Sequence, residues 1–398
     1  MPSLPLLLLL SAAASAADAP QVSLYGALRP TLSFADGAVA SYGRPNEAAV
    51  TGAANPRIVA DAEAARLSWQ VAQSRFGLRA KAGQATGVLE LDFIDFNVAS
   101  PTVGAKPRLR IATVDWAFAP GTHLTVGQTW DAFAPLNPLH RNLVGGSFQA
   151  GNVGFMRQQA ILDHKAEAVH LTAALGMAGS NNGLADGGLE LTPAPSATGR
   201  AGLRVGEAGE LALSGFWARV GLQDAEGAVQ HTQAWGALAS AELKPAPRTQ
   251  LRGEAFVGQD LQSTGMLSLA QARIGPDGGL IDLREAGGWI SLRQGIGPRW
   301  ALSATAHGDA VLDPDQVVAN SVPAEDPAAV AALDVNLGPG LRANLGGRVG
   351  VERQANEHLV VFVEGFGLRS SYAAAEGEGR GGLDPLRLGA ELGALFTF

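Results

Sequence analysis

The chain has no cysteine among its 398 residues. A disulfide framework, a thiolate metal site and a thiol nucleophile are therefore excluded. Basic runs suited to nucleic acid are missing. So are H-E-x-x-H and a glycine loop ending in Lys-Ser/Thr, the motifs of zinc hydrolysis and phosphate binding. Histidines do not pair at metal spacing, since His164 and His170 are separated by a turn. Asp309, Asp313 and Asp315 read as turn residues of a long loop rather than as a cation site. These absences leave no cofactor, no metal and no catalytic set to expect. Beyond residue 17 no segment approaches the ~18 consecutive apolar residues of a membrane helix. Net charge is −8, which bears on solubility and loop chemistry rather than on fold.

The one long apolar run is Leu4 to Ala17, with five consecutive leucines and then small residues ending Ala14-Ser15-Ala16. It has the form of a signal-peptide core and an A-x-A cleavage site, although no Lys or Arg precedes it. Residues 1–16 are thus expected to be a signal peptide, and residues 17–398 the mature domain.

What the chain has in abundance is period-two alternation. In the last segment Leu386, Leu388, Ala390, Leu392, Ala394, Phe396 and Phe398 share one face of a strand. Arg387, Gly389, Glu391, Gly393 and Thr397 share the other, with Leu395 the apolar exception. Similar segments recur from Val22 onward, and the gaps between them alternate short and long. Short turns fall near Gly83–Gly87, Pro120-Gly121, His164-Lys165, Glu207–Gly209, Pro245–Pro247, Gly295–Pro298 and Ala355–Glu357. Long stretches fall at 35–64, 97–106, 131–154, 179–198, 223–229, 259–284, 309–340 and 372–385. Strands that are apolar outside and polar inside, with loops long on one side only, predict an all-β fold. The expected form is a transmembrane antiparallel up-and-down β-barrel with long extracellular loops and short periplasmic turns. Sixteen strands fit the count. Eighteen is the alternative if Ala328–Asn336 is also a strand. No fixed repeat period is present, which argues against a propeller or solenoid. The 51 glycines suit bends and a crowded interior.

Several stretches resemble the DcaP-like outer-membrane porins. They are Tyr25-Gly26, Gln73-Ser74-Arg75-Phe76-Gly77-Leu78, Asp115-Trp116, Val126-Gly127-Gln128-Thr129-Trp130, Gly253-Glu254-Ala255-Phe256 with Gly258-Gln259, and Gly287-Gly288-Trp289-Ile290-Ser291-Leu292. The terminal Phe398 resembles the assembly signal of Gram-negative outer-membrane barrels. The resemblance implies a homotrimeric channel in the Gram-negative outer membrane, set among lipid and lipopolysaccharide and built by the barrel assembly machinery. Some members carry a helical segment before the barrel, whereas here the first strand begins about five residues after the cleavage site. With only 3 Tyr, the 14 Phe and 7 Trp must form the aromatic girdles. The resemblance also implies that the loop after the fifth strand folds inward. That loop is 131–154, with Asp131, Asn137, His140, Arg141 and Asn142.

Alternation also assigns lumen charges. The polar faces carry Arg29, Arg75, Arg79, Lys81, Arg108, Arg110, Arg157, Arg252, Arg293, Arg342, Arg348 and Arg387. Their acids are Glu90, Asp92, Glu254, Asp309, Glu352 and Glu391. Twelve bases against six acids, in a chain that is acidic as a whole, predict a positive lumen. Arginine suits it because the guanidinium fork matches a carboxylate or phosphate. Around Arg108, Arg110 and Arg157 the alternation is broken. The function expected is passive diffusion of small hydrophilic solutes with a preference for anions such as small carboxylates. The alternatives are an outer-membrane barrel enzyme of lipase or protease type, for which no Ser/His/acid set is visible, and a soluble periplasmic β-rich ligand-binding protein.

Overall fold

Alternation at period two builds sixteen antiparallel strands, each hydrogen-bonded to the next. The computed structural model describes residues 20–37, 65–93, 107–141, 147–179, 191–223, 227–275, 278–317, 341–372 and 386–398. The signal-peptide reading of residues 1–16 falls outside these. β1 runs in two pieces, Gln21–Leu28 and Thr31–Ala35, as does β2, Arg66–Gln70 and Arg75–Ala82. β3 (Ala85–Asp92), β4 (Arg108–Ala119), β5 (Thr122–Trp130), β6 (Met156–Lys165), β7 (Val169–Gly176) and β8 (Ser196–Arg204) complete the first half. The second half holds β9 (Gly209–Gln223), β10 (Val229–Ala246), β11 (Thr249–Gln259), β12 (Arg284–Ile296), β13 (Trp300–Val311), β14 (Leu341–Gln354), β15 (Leu359–Tyr372) and β16 (Leu386–Thr397). Because β13 pairs directly with β14, Thr305 opposite Arg348, no further barrel strand fits between them. The count is sixteen. The segment Ala328–Asn336 lies outside the described residues.

The sheet closes on itself. β1 pairs with β2 on one side and with β16 on the other, Thr31 opposite Gly393 and Ala27 opposite Thr397. Closure gives each barrel strand among the described residues a hydrogen-bonded neighbour on both sides, which hydrocarbon requires. The last residue takes part. Gly26 N–H donates to the Phe398 carbonyl (3.1 Å), and Phe398 N–H donates to the Gly26 carbonyl (3.2 Å). The Phe398 ring lies 6.0 Å from that of Phe76 and 6.4 Å from that of Phe396. The β16 faces are as the alternation predicts: Leu386, Leu388, Leu392 and Phe396 are exposed on the outer wall, while Arg387 and Glu391 are buried inside.

All seven short turns lie at one end, and the eight long connections lie at the other. At the β4–β5 turn Gly121 has φ +69°, and a Cβ there would stand 2.3 Å from the Lys165 carbonyl oxygen. Only glycine fits. The outer wall is a belt of exposed apolar side chains, among them Leu24, Leu78, Val126, Leu213, Ile290, Val349 and Leu392. A barrel clothed in this way spans a membrane.

Inside, the expectation of a uniformly polar face fails at two places. β9–β11 turn Phe216, Ala218, Leu238 and Phe256 inward, where they form an apolar cluster with Phe133, Val153, Leu261 and Met266 of the long connections. β15 turns Phe362, Phe366 and Leu368 inward. These β15 rings lie over glycines directly opposite on β16: Phe362 over Gly393 and Phe366 over Gly389. Guanidiniums then lie on the rings, Arg29 at 5.2 Å from Phe362 and Arg348 at 5.0 Å from Phe366. The stack repeats near the short-turn end, with Arg79 5.8 Å from Tyr25 and Tyr25 over Gly77.

Replacing Phe398 by Asp removes the ring from Phe76 and sets a carboxylate at the membrane interface. The folded fraction is expected to fall several-fold, read as loss of the heat-modifiable gel band in outer-membrane fractions. A folded band at wild-type intensity would contradict the role given to this seam.

Candidate functional site

The connection after β5 runs inside the barrel. Its first turn is fixed by Asp131, which accepts from Phe133 N–H (2.8 Å) and from Arg157 Nε (2.7 Å). Arg157 also donates to the carbonyls of Met177 (2.6 Å) and Thr264 (2.9 Å), so one buried guanidinium ties three connections together. Phe133 is fully buried, 5.8 Å from the Phe216 ring. The apolar inner face of β9–β11 thus receives the loop.

From there the loop crosses the inner faces of successive strands. Leu136 N–H donates to Glu254 of β11 (3.0 Å), and Leu139 N–H to Ser291 of β12 (2.9 Å). Glu254 also accepts from Trp289 Nε1 (3.2 Å). Arg141 pairs with Glu352 of β14 through its guanidinium and with Glu364 of β15 through its backbone N–H. On the return, the Ala150 carbonyl meets His307 Nδ1 of β13 (3.1 Å), and Asn344 of β14 donates to the Gln149 carbonyl. His140 is buried against Ser147 (3.1 Å) and Asn137 faces Asn152 (3.5 Å), both contacts within the loop. Asn142 lies outside the described residues.

Facing the loop, β2–β4 carry Arg75, Arg108, Arg110, Glu90 and Asp92. Arg108 grips Asp92 with two bonds (2.8 and 2.6 Å), and Arg110 pairs with Glu90. A β-bulge at Glu90/Leu91 opposite β4 explains the broken alternation, since it brings both arginines to the inner face. A cavity of about 120 Å³ lies between loop and wall, lined by Arg75, Arg108, Arg110, Trp130, Asn137 and Phe155 among others. Arg110 sits 5.1 Å over the Trp130 ring, and Arg108 5.7 Å over that of Phe155. Arg75 comes no closer than 3.9 Å to a carboxylate, that of Glu90. Arg79 and Lys81 enter no ion pair among the described residues.

The other assigned charges are placed as follows. Arg252 pairs with Glu242, and Arg293 with Glu352. Arg348 lies 3.7 Å from both Glu364 and Glu391. Arg342 is half-buried at the start of β14, and Arg387 is buried on β16. Arg157 and Glu254 hold loops rather than facing open lumen. Asp309 is no turn residue: it lies in β13, 3% exposed. Asp313 is half-buried just after β13, bonded to Arg284 (2.7 Å), whose hydrogen bonds hold its carboxyl below the usual range. Asp315 sits in a short 3₁₀ turn.

Sequence reasoning missed six inward carboxylates: Asp115, Asp163, Glu210, Glu242, Glu285 and Glu364. They double the acidic count. Glu364 was hidden because Phe362 and Phe366 flank it on the inner face, so β15 is apolar on both sides. Asp163 and Glu210 sandwich His170, at 2.6 Å from Nε2 and 2.9 Å from Nδ1, and Arg200 pairs with Glu210. Cross-strand register, invisible without the pairing, brings these four together.

Two outcomes follow from these anchors. Arg157→Met leaves the Asp131 carboxylate buried without its partner, a loss of about 3–5 kcal/mol. The melting temperature should drop, and the loop should become cleavable in limited proteolysis. Asp260, fully buried after β11 and beside Asp282, has its carboxyl pushed up to about 8 by burial. The stability it supports is complete below its unfolded value of about 4 and is lost as pH rises through about 8. Between pH 5 and pH 9 the melting temperature of the wild type should fall more than that of Asp260→Asn.

No family model and no curated protein matches the sequence. Solved structures do match the fold. The outer membrane channel DcaP of Acinetobacter baumannii superposes with a TM-score of 0.70 at 14% identity, covering 95% of this chain and 97% of that one. The anion-selective porin from Comamonas acidovorans gives 0.57 at 13%, covering 96% and 100%. Pseudomonas putida OprB gives 0.54 at 12%, covering 94% of each. The chain has the sixteen-stranded barrel fold of the outer-membrane porins.

Proposed function

We propose that the protein is a porin of the Gram-negative outer membrane, a channel rather than an enzyme. In this reading small hydrophilic solutes diffuse passively through it, and anions such as small carboxylates pass in preference to cations. The observation that carries the preference is the basic row on the inner face of β2. Arg79 and Lys81 enter no ion pair among the described residues and Arg75 only the 3.9 Å one with Glu90, whereas Arg108, Arg110 and Arg293 are tightly paired. The six further inward carboxylates offset the twelve-to-six excess, so the field that sorts solutes comes from this row. The aromatic and arginine lining of the adjacent cavity supports a resting place for a small carboxylate. The similarity in fold to a porin described as anion-selective agrees with this reading. The segment 131–154 acts as the constriction. The mature chain begins after Ala16, assembles as a homotrimer among lipid and lipopolysaccharide, and reaches the membrane through the barrel assembly machinery acting on the β16 strand and Phe398.

Replacing Arg75 and Arg79 together by Ser should lower the anion-to-cation permeability ratio several-fold in planar bilayers. Dicarboxylate uptake should slow more than uptake of neutral sugars. The effect should shrink at 1 M salt, where the Debye length is about 3 Å. A wild-type channel that selects cations at low salt would overturn the anion preference. Single-channel conductance after deletion of residues 137–142 tests the constriction: a folded variant with unchanged conductance would refute it.

A further inference from the structure

We propose a binding site for one calcium-type divalent cation inside the barrel wall, made by Glu285, Asp309 and Ser268. Glu285 on β12 is fully buried, and Asp309 on β13 is 3% exposed. The register sets Asp309 opposite Gly287 and Glu285 opposite Val311. The two carboxylates therefore lie on the same inner face as diagonal neighbours on adjacent strands, with backbone positions about 7–8 Å apart. Neither forms an ion pair with any described residue. Glu285 spends one oxygen on the loop that follows β11, accepting from Leu269 N–H (2.8 Å) and Ala270 N–H (3.0 Å). Its second oxygen and both oxygens of Asp309 have no hydrogen-bond partner. The fully buried Ser268 hydroxyl stands beside the Glu285 carboxylate.

Two buried acids on one inner face, with no basic partner among the described residues, are costly to ionise in a low-dielectric interior. A hard divalent cation supplies what is missing, because calcium takes 6–8 oxygen ligands in flexible geometry, with carboxylates, hydroxyl, carbonyls and water all acceptable. The loop after β5 roofs the place. Gly151, at φ +106°, lies against the wall so closely that a Cβ would stand 2.1 Å from the Gly288 carbonyl oxygen and 2.7 Å from that of Gly308. Gln149 N–H bonds the Leu267 carbonyl (2.9 Å), so both long connections meet over the two acids. An ion here joins two loops to the wall.

The test uses the full mature chain, refolded in detergent from inclusion bodies so that no lipopolysaccharide-bound calcium interferes. Chelator-stripped protein is titrated with CaCl₂ by calorimetry and melted with and without the ion. The expected result is about one calcium per chain, with a dissociation constant below about 1 mM, and a rise in melting temperature on adding calcium. Glu285→Gln and Asp309→Asn should abolish both effects, and Ser268→Ala should weaken binding several-fold. Folding of each variant is checked by heat-modifiable mobility. Should the acid variants not fold, the wild-type stoichiometry and Ser268→Ala decide. No calcium bound by folded wild type overturns the proposal, as does binding unchanged in the variants. A calcium-indifferent wild type with a more stable Asp309→Asn would show instead that the two carboxyls share a proton.

Discussion

Everything in this molecule depends on the hydrogen-bonded seam between β1 and β16. In hydrocarbon an unpaired strand edge is not tolerated, so the sixteen strands must return to their start. Strand β1 of this seam and its other neighbour, β2, are both interrupted. Arg29-Pro30 interrupts β1, residues 71–74 interrupt β2, and Arg29 N–H turns to the Ser74 hydroxyl (2.9 Å) instead of a strand carbonyl. Pairing with β16 nevertheless continues across the break, because Ala394 N–H donates to the Pro30 carbonyl (3.1 Å). The ring of Phe398 against Phe76 covers the last step.

The closed wall then solves a second problem, that of holding a long connection inside a largely polar lumen. Polar contacts alone would compete with water. The chain instead sets an apolar patch on β9–β11 and seats Phe133 on it, next to the Asp131–Arg157 pair. With that end fixed, the crossing to β15 needs only single hydrogen bonds at each strand. The arrangement leaves one wall, β2–β4, facing the cavity with its guanidiniums, while the opposite wall is occupied by backbone.

The barrel was legible because its signal is local. Alternation reads residue by residue, and the turns are marked by glycine, proline or short polar runs such as Pro120-Gly121 and Ala355-Asn356-Glu357. The placement of Arg75 and Arg79 on the inner face of β2 was legible for the same reason, since Phe76 and Leu78 mark the outer one. What stayed hidden is non-local. That Glu364 lies between Arg141 and Arg348, or that Glu285 lies beside Asp309, depends on which strand lies next to which. The inward Phe216, Phe256, Phe362 and Phe366 misled in another way. They obey alternation but reverse its usual polarity, because each has a neighbour that only an interior offers: a loop, or a glycine under the ring.

The glycine–ring–arginine stacks bear on what this lumen can distinguish. A guanidinium set over the ring of Phe362, Phe366 or Tyr25 has a plane that the ring can hold. A lysine in its place would carry the same charge but, as a compact point charge on a flexible stem, would have no plane to hold. The wall therefore records direction as well as sign. A drift from arginine to lysine along β1, β2 or β14, invisible to any tally of charge, would erase that direction.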